Sequence, residues 1–270
     1  MPLCTLHLLA LHPTTPNPLL TFLSTLKSSK LSPLVVSRVA RWIILPASLS
    51  TEHLLARNIS WDLFVILPST SPLPPNVEQL VQHHWSITAG VPSRLLQDFE
   101  SKNKKLLHPD AASVPKLSPS DAKETTNSSQ NLELSAGLES WIQGLNSKES
   151  SGAVSMFNLL AFNPGMKEEY LKYGAAFAKT IGSRHGGNAK IVGNVIKMEG
   201  STDASADGWA EIALAHYPSI LHFREMLLSE DYQKVNHAHR VPSLRDTCIL
   251  MTSELAIEDL VKGSSSGAKL

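Results

Sequence analysis

The sequence predicts an α+β fold made of two ferredoxin-like βαββαβ units joined by a disordered polar linker, and three observations carry that prediction. From about residue 153 to 253 the apolar pattern runs strand, helix, strand, strand, helix, strand, switching between period two and a period of three to four. Between about residues 101 and 150 the composition changes to Ser, Lys, Asn and Asp, as in Lys102-Asn103-Lys104-Lys105 and Thr125-Thr126-Asn127-Ser128-Ser129. Such a stretch holds too little apolar surface to offset the entropy of ordering it. The third observation is a repeat: Trp61 to Pro68 occupies the slot in the first hundred residues that Trp209 to Pro218 occupies later, each Trp opening a third strand and each Pro closing it.

The elements follow in order. Leu3 to Leu11, Val35 to Leu45 and Trp61 to Leu67 are expected strands, with helices near Leu19 to Leu26 and Val77 to His84 and a short fourth strand at Ser86 to Ala89. In the linker a short amphipathic helix is expected over 132–145, carrying Leu134, Leu138, Trp141 and Leu145 at helical spacing. Ala153 to Leu160 is then a strand closed by Asn163-Pro164-Gly165. Met166, Tyr170, Tyr173, Phe177 and Ile181 mark the apolar face of a helix that stops at Gly186-Gly187. Ala189 to Met198 and Trp209 to Tyr217 are strands, and Pro218 opens a helix with Ile220, Phe223 and Met226 on one face and a break near Ser229. A further helical turn spans Asp231 to Arg240, and Thr247 to Thr252 is the last strand. Two one-sided sheets of this kind cover each other by packing face to face. The expected domains are thus 1–100, a linker at 101–150, 151–255 and a flexible tail at 256–270.

Composition narrows the partners. Lys and Arg number 24 against 24 Asp and Glu, so the electrostatic footprint of a nucleic-acid or anionic-membrane binder is missing. No apolar run approaches the roughly 18 residues that cross a bilayer. Two cysteines, each in an apolar stretch, exclude a disulfide scaffold and suit a reducing compartment. Ala268-Lys269-Leu270, after Gly263 to Gly267, resembles a C-terminal peroxisomal address, so an import receptor is an expected partner and the cytoplasm the alternative location.

Phe157-Asn158-Leu159-Leu160, Arg184-His185-Gly186-Gly187, His216-Tyr217-Pro218-Ser219 and Ser229-Glu230-Asp231-Tyr232-Gln233, followed by Arg240, resemble the DUF1330 family of the dimeric α+β barrel superfamily over about residues 153–253. The resemblance implies the ferredoxin-like fold and the pairing of two such units into a barrel, here within one chain. It implies little chemistry, because superfamily relatives include cofactor-free oxygenases, isomerases and haem proteins. The first hundred residues lack those motifs and are expected to be a degenerate partner half.

His216 shares a strand face with Ala210, Ile212 and Leu214, where an imidazole is biased towards its neutral form and suits a general base. The alternative is a structural histidine satisfied by a backbone carbonyl. Tyr232 and Arg240 bracket the last helical turn, where a phenol donates to a substrate oxygen and a guanidinium fixes a carboxylate or enolate. The alternative packs Tyr232 on Val235 and pairs Arg240 with Asp246 or Glu230. Asn158, His185 and His222 complete the candidate ligand-binding set, with helix capping the favoured reading of His185. No metal site is expected, since His237 and His239 are two apart on a helix and no His-x-x-x-His or Cys-x-x-Cys pair occurs. Neither a phosphate-binding loop nor a dinucleotide fingerprint is present, so no cofactor is expected. The expected function is acid–base isomerisation or cofactor-free oxygenation of a small, oxygenated, largely apolar compound. A non-catalytic ligand-binding or assembly protein is the alternative, with homo-oligomerisation open.

Overall fold

A computed structural model describes residues 1–118, 125–196 and 208–267 of the chain. Its strands are β1 (Leu3–Leu11), β2 (Val35–Ile44), β3 (Leu63–Leu67), β4 (Val81–Gly90), β5 (Val154–Phe162), β6 (Asn188–Val195), β7 (Glu211–Tyr217) and β8 (Leu244–Ser253). They pair antiparallel throughout and close into a barrel in the order β1-β3-β2-β8-β5-β7-β6-β4. In the first half β1 lies between β4 and β3, and in the second β5 lies between β8 and β7, so both halves share one strand order. Among its helices are α1 (Pro18–Ser28), α2 (Phe99–Leu107), α3 (Ala136–Gln143), α4 (Lys167–Ala176), α5 (Ile220–Leu228), α6 (Glu230–Val235) and α7 (Leu255–Gly267), with shorter turns between them.

Period-two alternation gives β1, β3, β5 and β8 an apolar set on each face. Leu6 and Leu8 of β1, Phe64 and Ile66 of β3, Phe157 and Leu159 of β5 and Ile212 and Leu214 of β7 belong to one buried cluster that fills the barrel. Phe64 from one half stacks on Phe157 from the other, ring centroids 4.6 Å apart. Trp61 and Trp209 both end in this cluster. Cys4 and Cys248 are free and buried here, and burial pushes the Cys4 thiol up to about 11 and Cys248 higher still, so both stay protonated and inert. The opposite faces carry helices: Met156, Tyr217, Ile249 and Met251 pack under α3, α4 and α5, and Leu9, Leu63 and Val65 under α1.

Two junctions join the halves. Along β2 and β8 the register runs from Arg38↔Ser253 to Ile44↔Ile249, whereas among the described residues β4 and β6 pair through Ala89↔Val195 and Gly90↔Asn194. Gly193 permits that short junction, because a Cβ there would stand 2.8 Å from the Gly90 carbonyl oxygen and 3.2 Å from Val91. Gly193→Val is expected to push β6 off β4 at a cost of about 1–3 kcal/mol, the usual size of an overpacking penalty. The measurement is the urea midpoint together with amide exchange at Ile196, whose N–H donates to the Thr88 carbonyl at 2.9 Å. An unchanged midpoint and a protected Ile196 would refute the steric account.

Three expected stretches differ. The helix expected over Val77 to His84 is a single turn, Pro75–Glu78, and β4 already begins at Val81. Trp85, Ile87 and Ala89 point inward at period two, and pairing with β1 along nearly the whole strand outweighs the local helical spacing. Within the expected linker, α2 turns Phe99 and Asn103 inward at i, i+4, and α3 buries Leu138 and Ile142. Arg224 of α5 fastens α3 by a two-point bond to Glu139, at 2.6 and 2.8 Å. In place of the flexible tail stands α7, started by the Glu254 carbonyl, which accepts from the Ile257 and Glu258 N–H groups, and anchored by buried Ile257. Ala268, Lys269 and Leu270 lie outside the described residues.

Candidate functional site

The two faces of the sheet separate the residues that the sequence grouped together. On β7 Ile212, Leu214 and His216 point into the barrel, while Tyr217 points to the helices. His216 is 1 % exposed and sits opposite Ser155 and Asn188 at one mouth of the barrel. α2 contributes Asn103 to this mouth. Lys190 of β6 donates to the Asn103 Oδ1 at 2.8 Å and pairs with Glu254, whose second oxygen accepts from Asn103 Nδ2 at 2.6 Å. Burial and then the Lys190 charge hold His216 down to about 3, so its ring is neutral, and its Nδ1 has no partner. The imidazole is therefore in the form a base needs, but it faces an apolar core sealed by an ion pair.

Tyr232 and Arg240 lie on the other side of the sheet, among the helices. α4 presents Tyr170 and Tyr173 and continues to Phe177, three and four residues on, so the rings stand in a row over β5 and β7. Tyr170 and Tyr173 have centroids 5.4 Å apart, Tyr173 meets Tyr232 edge-on at 6.3 Å, and the two hydroxyls of that second pair are 3.4 Å apart. Tyr217 closes the row against Phe223 at 5.1 Å. Burial raises the pKa of all four tyrosines, and the Arg240 charge, within electrostatic range of each, opposes the rise. They remain protonated and serve as donors, not bases.

Arg240 itself is 2 % exposed, its Nη2 has no partner, and among the described residues no carboxylate pairs with it. Asp246, the partner the sequence offered, is occupied: it accepts from the N–H groups of Ala47, Ser48 and Leu49 at 3.0, 2.8 and 2.7 Å. Burial opposes ionisation of Asp246, but those donors outweigh it and hold the carboxyl below its ordinary range. Glu230, the other offered partner, is exposed at the surface. At the rim, half-buried Tyr170 borders solvent beside the Lys167–Glu211 ion pair, 2.6 Å long.

Asn158 is on this helix side of β5 and donates to the Met156 carbonyl at 2.8 Å. His185 and His222 stand apart. His185 ends a helix before Gly186, which is left-handed at φ 70°; its ring is held below the ordinary value by burial, and its Nε2 lies 3.9 Å from Asp231. His222 Nε2 donates to the Pro115 carbonyl at 3.0 Å, so its Nδ1 accepts from the Ser219 hydroxyl at 2.7 Å, and the ring pins the 108–118 segment to α5. Of the predicted set, then, Tyr232, Arg240 and Asn158 share a side. Tyr170, Tyr173 and Tyr217 join them; the only sequence signal was that phenols, not aliphatic residues, fill the expected apolar positions.

Elsewhere a groove of about 880 Å³ lies between α3 and α7, lined by Arg38, Trp141, Met251 and Leu255, and its lysines Lys148 and Lys262 are paired with Asp259 and Glu258. None of the six predicted side chains lines it. Among the described residues no group of three or more His, Cys, Asp or Glu side chains is placed to hold a metal ion, and no helix is long and apolar enough to cross a membrane.

No family model matches the chain, and no curated protein does. Solved structures do, among them the RPA0582 protein of unknown function from Rhodopseudomonas palustris, at 21 % identity, and methylated RPA0582 protein, at 22 %. Each match covers 44 % of this chain and 92 % or 90 % of the other, with a TM-score of 0.36. At that score the fold is read from the barrel itself.

Proposed function

We propose that this chain binds a small oxygenated anion, a carboxylate or enolate, between the helices and the sheet of its second half. The scaffold is read as two ferredoxin-like units paired within one chain in the manner of the dimeric α+β barrels, the second half resembling DUF1330. One observation supports the reading above the others: Arg240 is a buried guanidinium with no carboxylate partner among the described residues, on the same helical stripe as buried Tyr232. A buried charge of this kind costs several kcal/mol unless an opposite charge joins it. A ligand anion that accepts from Arg240 and from a tyrosine hydroxyl supplies it. An enolate that reaches the site already formed would be stabilised by the same donors. His216 has no part in this site, because it points into the barrel.

Arg240→Met tests the proposal, since Met replaces the charged arm with an apolar one of similar length. Without ligand the variant is expected to be more stable than the wild type by about 1–3 kcal/mol. In the wild type, short carboxylates raise the melting temperature and the matched primary amides do not; in the variant neither acts. A destabilised variant that keeps its response to carboxylates refutes the assignment.

A further inference from the structure

The segment that carries Tyr232 and Arg240 holds a third buried group at the same spacing. Tyr232, Asn236 and Arg240 recur every four residues along α6 and the wide turn Asn236–Arg240, and they are 0 %, 0 % and 2 % exposed. They form one stripe turned into the protein. Helical side chains lean towards the helix N-terminus, which carries the long Arg240 arm back over the turn of Asn236 towards Tyr232. The effect of the Arg240 charge on the Tyr232 and Tyr173 phenols agrees with that reach.

The Asn236 amide has a fixed orientation. Its Nδ2 donates to the Asn131 carbonyl at 2.7 Å and to Gln233 Oε1 at 3.0 Å. Gln233 is held in turn, its Nε2 donating to the Leu227 and Leu132 carbonyls at 2.7 and 3.2 Å. Asn236 Oδ1 therefore faces away from those partners, buried and without a donor, while Arg240 Nη2 is buried without an acceptor. An unsatisfied buried polar atom costs about 1–3 kcal/mol. Here an orphan acceptor and an orphan donor stand one turn apart on one stripe, and no bond joins them.

We infer that the ligand is a small 2-hydroxy acid, its carboxylate held by Arg240 and its hydroxyl donating to Asn236 Oδ1. The inference rests on the anion-binding reading above and adds the second contact. A 2-amino acid is disfavoured, because its ammonium would lie beside the guanidinium. The rings of Tyr173, Phe177 and Tyr217 favour an apolar remainder, and Tyr170 marks the side from which the site meets solvent.

Calorimetric titration of the full chain with two matched pairs, mandelate against phenylacetate and lactate against propionate, tests this. In the wild type each hydroxy acid is expected to bind at least tenfold more tightly than its deoxy counterpart. Asn236→Leu removes that preference, so that the members of a pair bind alike, and Arg240→Met removes binding of both. Equal affinities within the wild-type pairs overturn the hydroxyl assignment and leave the anion site standing. A preference that survives in Asn236→Leu does the same. No binding of any of the four acids overturns both readings, and the wild-type comparison stands whether or not either variant folds.

Discussion

Lys190→Met is expected to lower the unfolding free energy by about 3–5 kcal/mol, the cost of stranding one member of a buried ion pair. The Lys190 and Glu254 side chains are 3 % and 9 % exposed, and Asn103 bonds to both. Burial lowers the Lys190 pKa, and Glu254 opposes the shift, so the ammonium depends on its carboxylate. With Lys190 gone, the Glu254 carboxylate keeps one neutral donor, and α2 and the start of α7 both lose their hold on β6. The double variant Lys190→Met, Glu254→Leu is expected to recover most of the loss, because two apolar side chains pack where two charges needed each other. Guanidinium unfolding of the four proteins in the cycle gives the coupling directly. A single variant that costs less than about 1 kcal/mol would place the pair in the surface class and refute the buried assignment.

Acid is expected to begin destabilising the protein from about pH 6.5 downwards, above the range in which carboxylates titrate. His7 and His216 are both held at about 3 from an ordinary value of 6.5, His7 by burial and its neighbour His84, His216 by burial and Lys190. The unfolded chain takes up a proton at each near pH 6.5, where the folded chain does not. Their stabilising contribution is therefore complete above pH 6.5 and is lost as the pH falls towards 3. At 1.36 kcal/mol per unit, each histidine gives up about 3 kcal/mol by pH 4. Urea midpoints measured from pH 7 to 4 should fall steeply, and the slope should flatten in His7→Leu, His216→Leu. A profile that stays level down to pH 4.5 would show that neither ring is locked in its neutral form.

Sequence pattern located most strands because period-two alternation survives any tertiary arrangement: Leu3–Leu11 is bounded by a proline and a histidine-proline turn, and the apolar run needs no partner to be recognised. What alternation does not reveal is which face points where. β5 is apolar on both sides, with Phe157 and Leu159 inside the barrel and Met156 under the helices. Placing His216 with Ile212 and Leu214 was thus correct, yet the same pattern fits a face towards Arg240 equally well. Closure of the barrel decides it, and closure is a long-range property. The partner of Asp246 was hidden for the same reason, since the N–H groups it accepts from belong to Ala47, Ser48 and Leu49, some two hundred residues earlier in the chain. α2 was hidden by composition: only Phe99 and Asn103 turn inward, so the lysines on its outer face dominate any average over the segment.

The inequality of the two junctions gives the barrel a mechanical sense. A closed cylinder with one long ladder and one that, among the described residues, has two residue pairs is expected to behave as a hinged shell: fluctuations should part the β4–β6 edge first, with β2 and β8 as the spine about which the halves turn. Hydrogen exchange should therefore run as a gradient around the circumference, fast at the clasp and slow at the spine. Exchange that is instead uniform around the circumference would show that the shell opens as one body and has no such hinge.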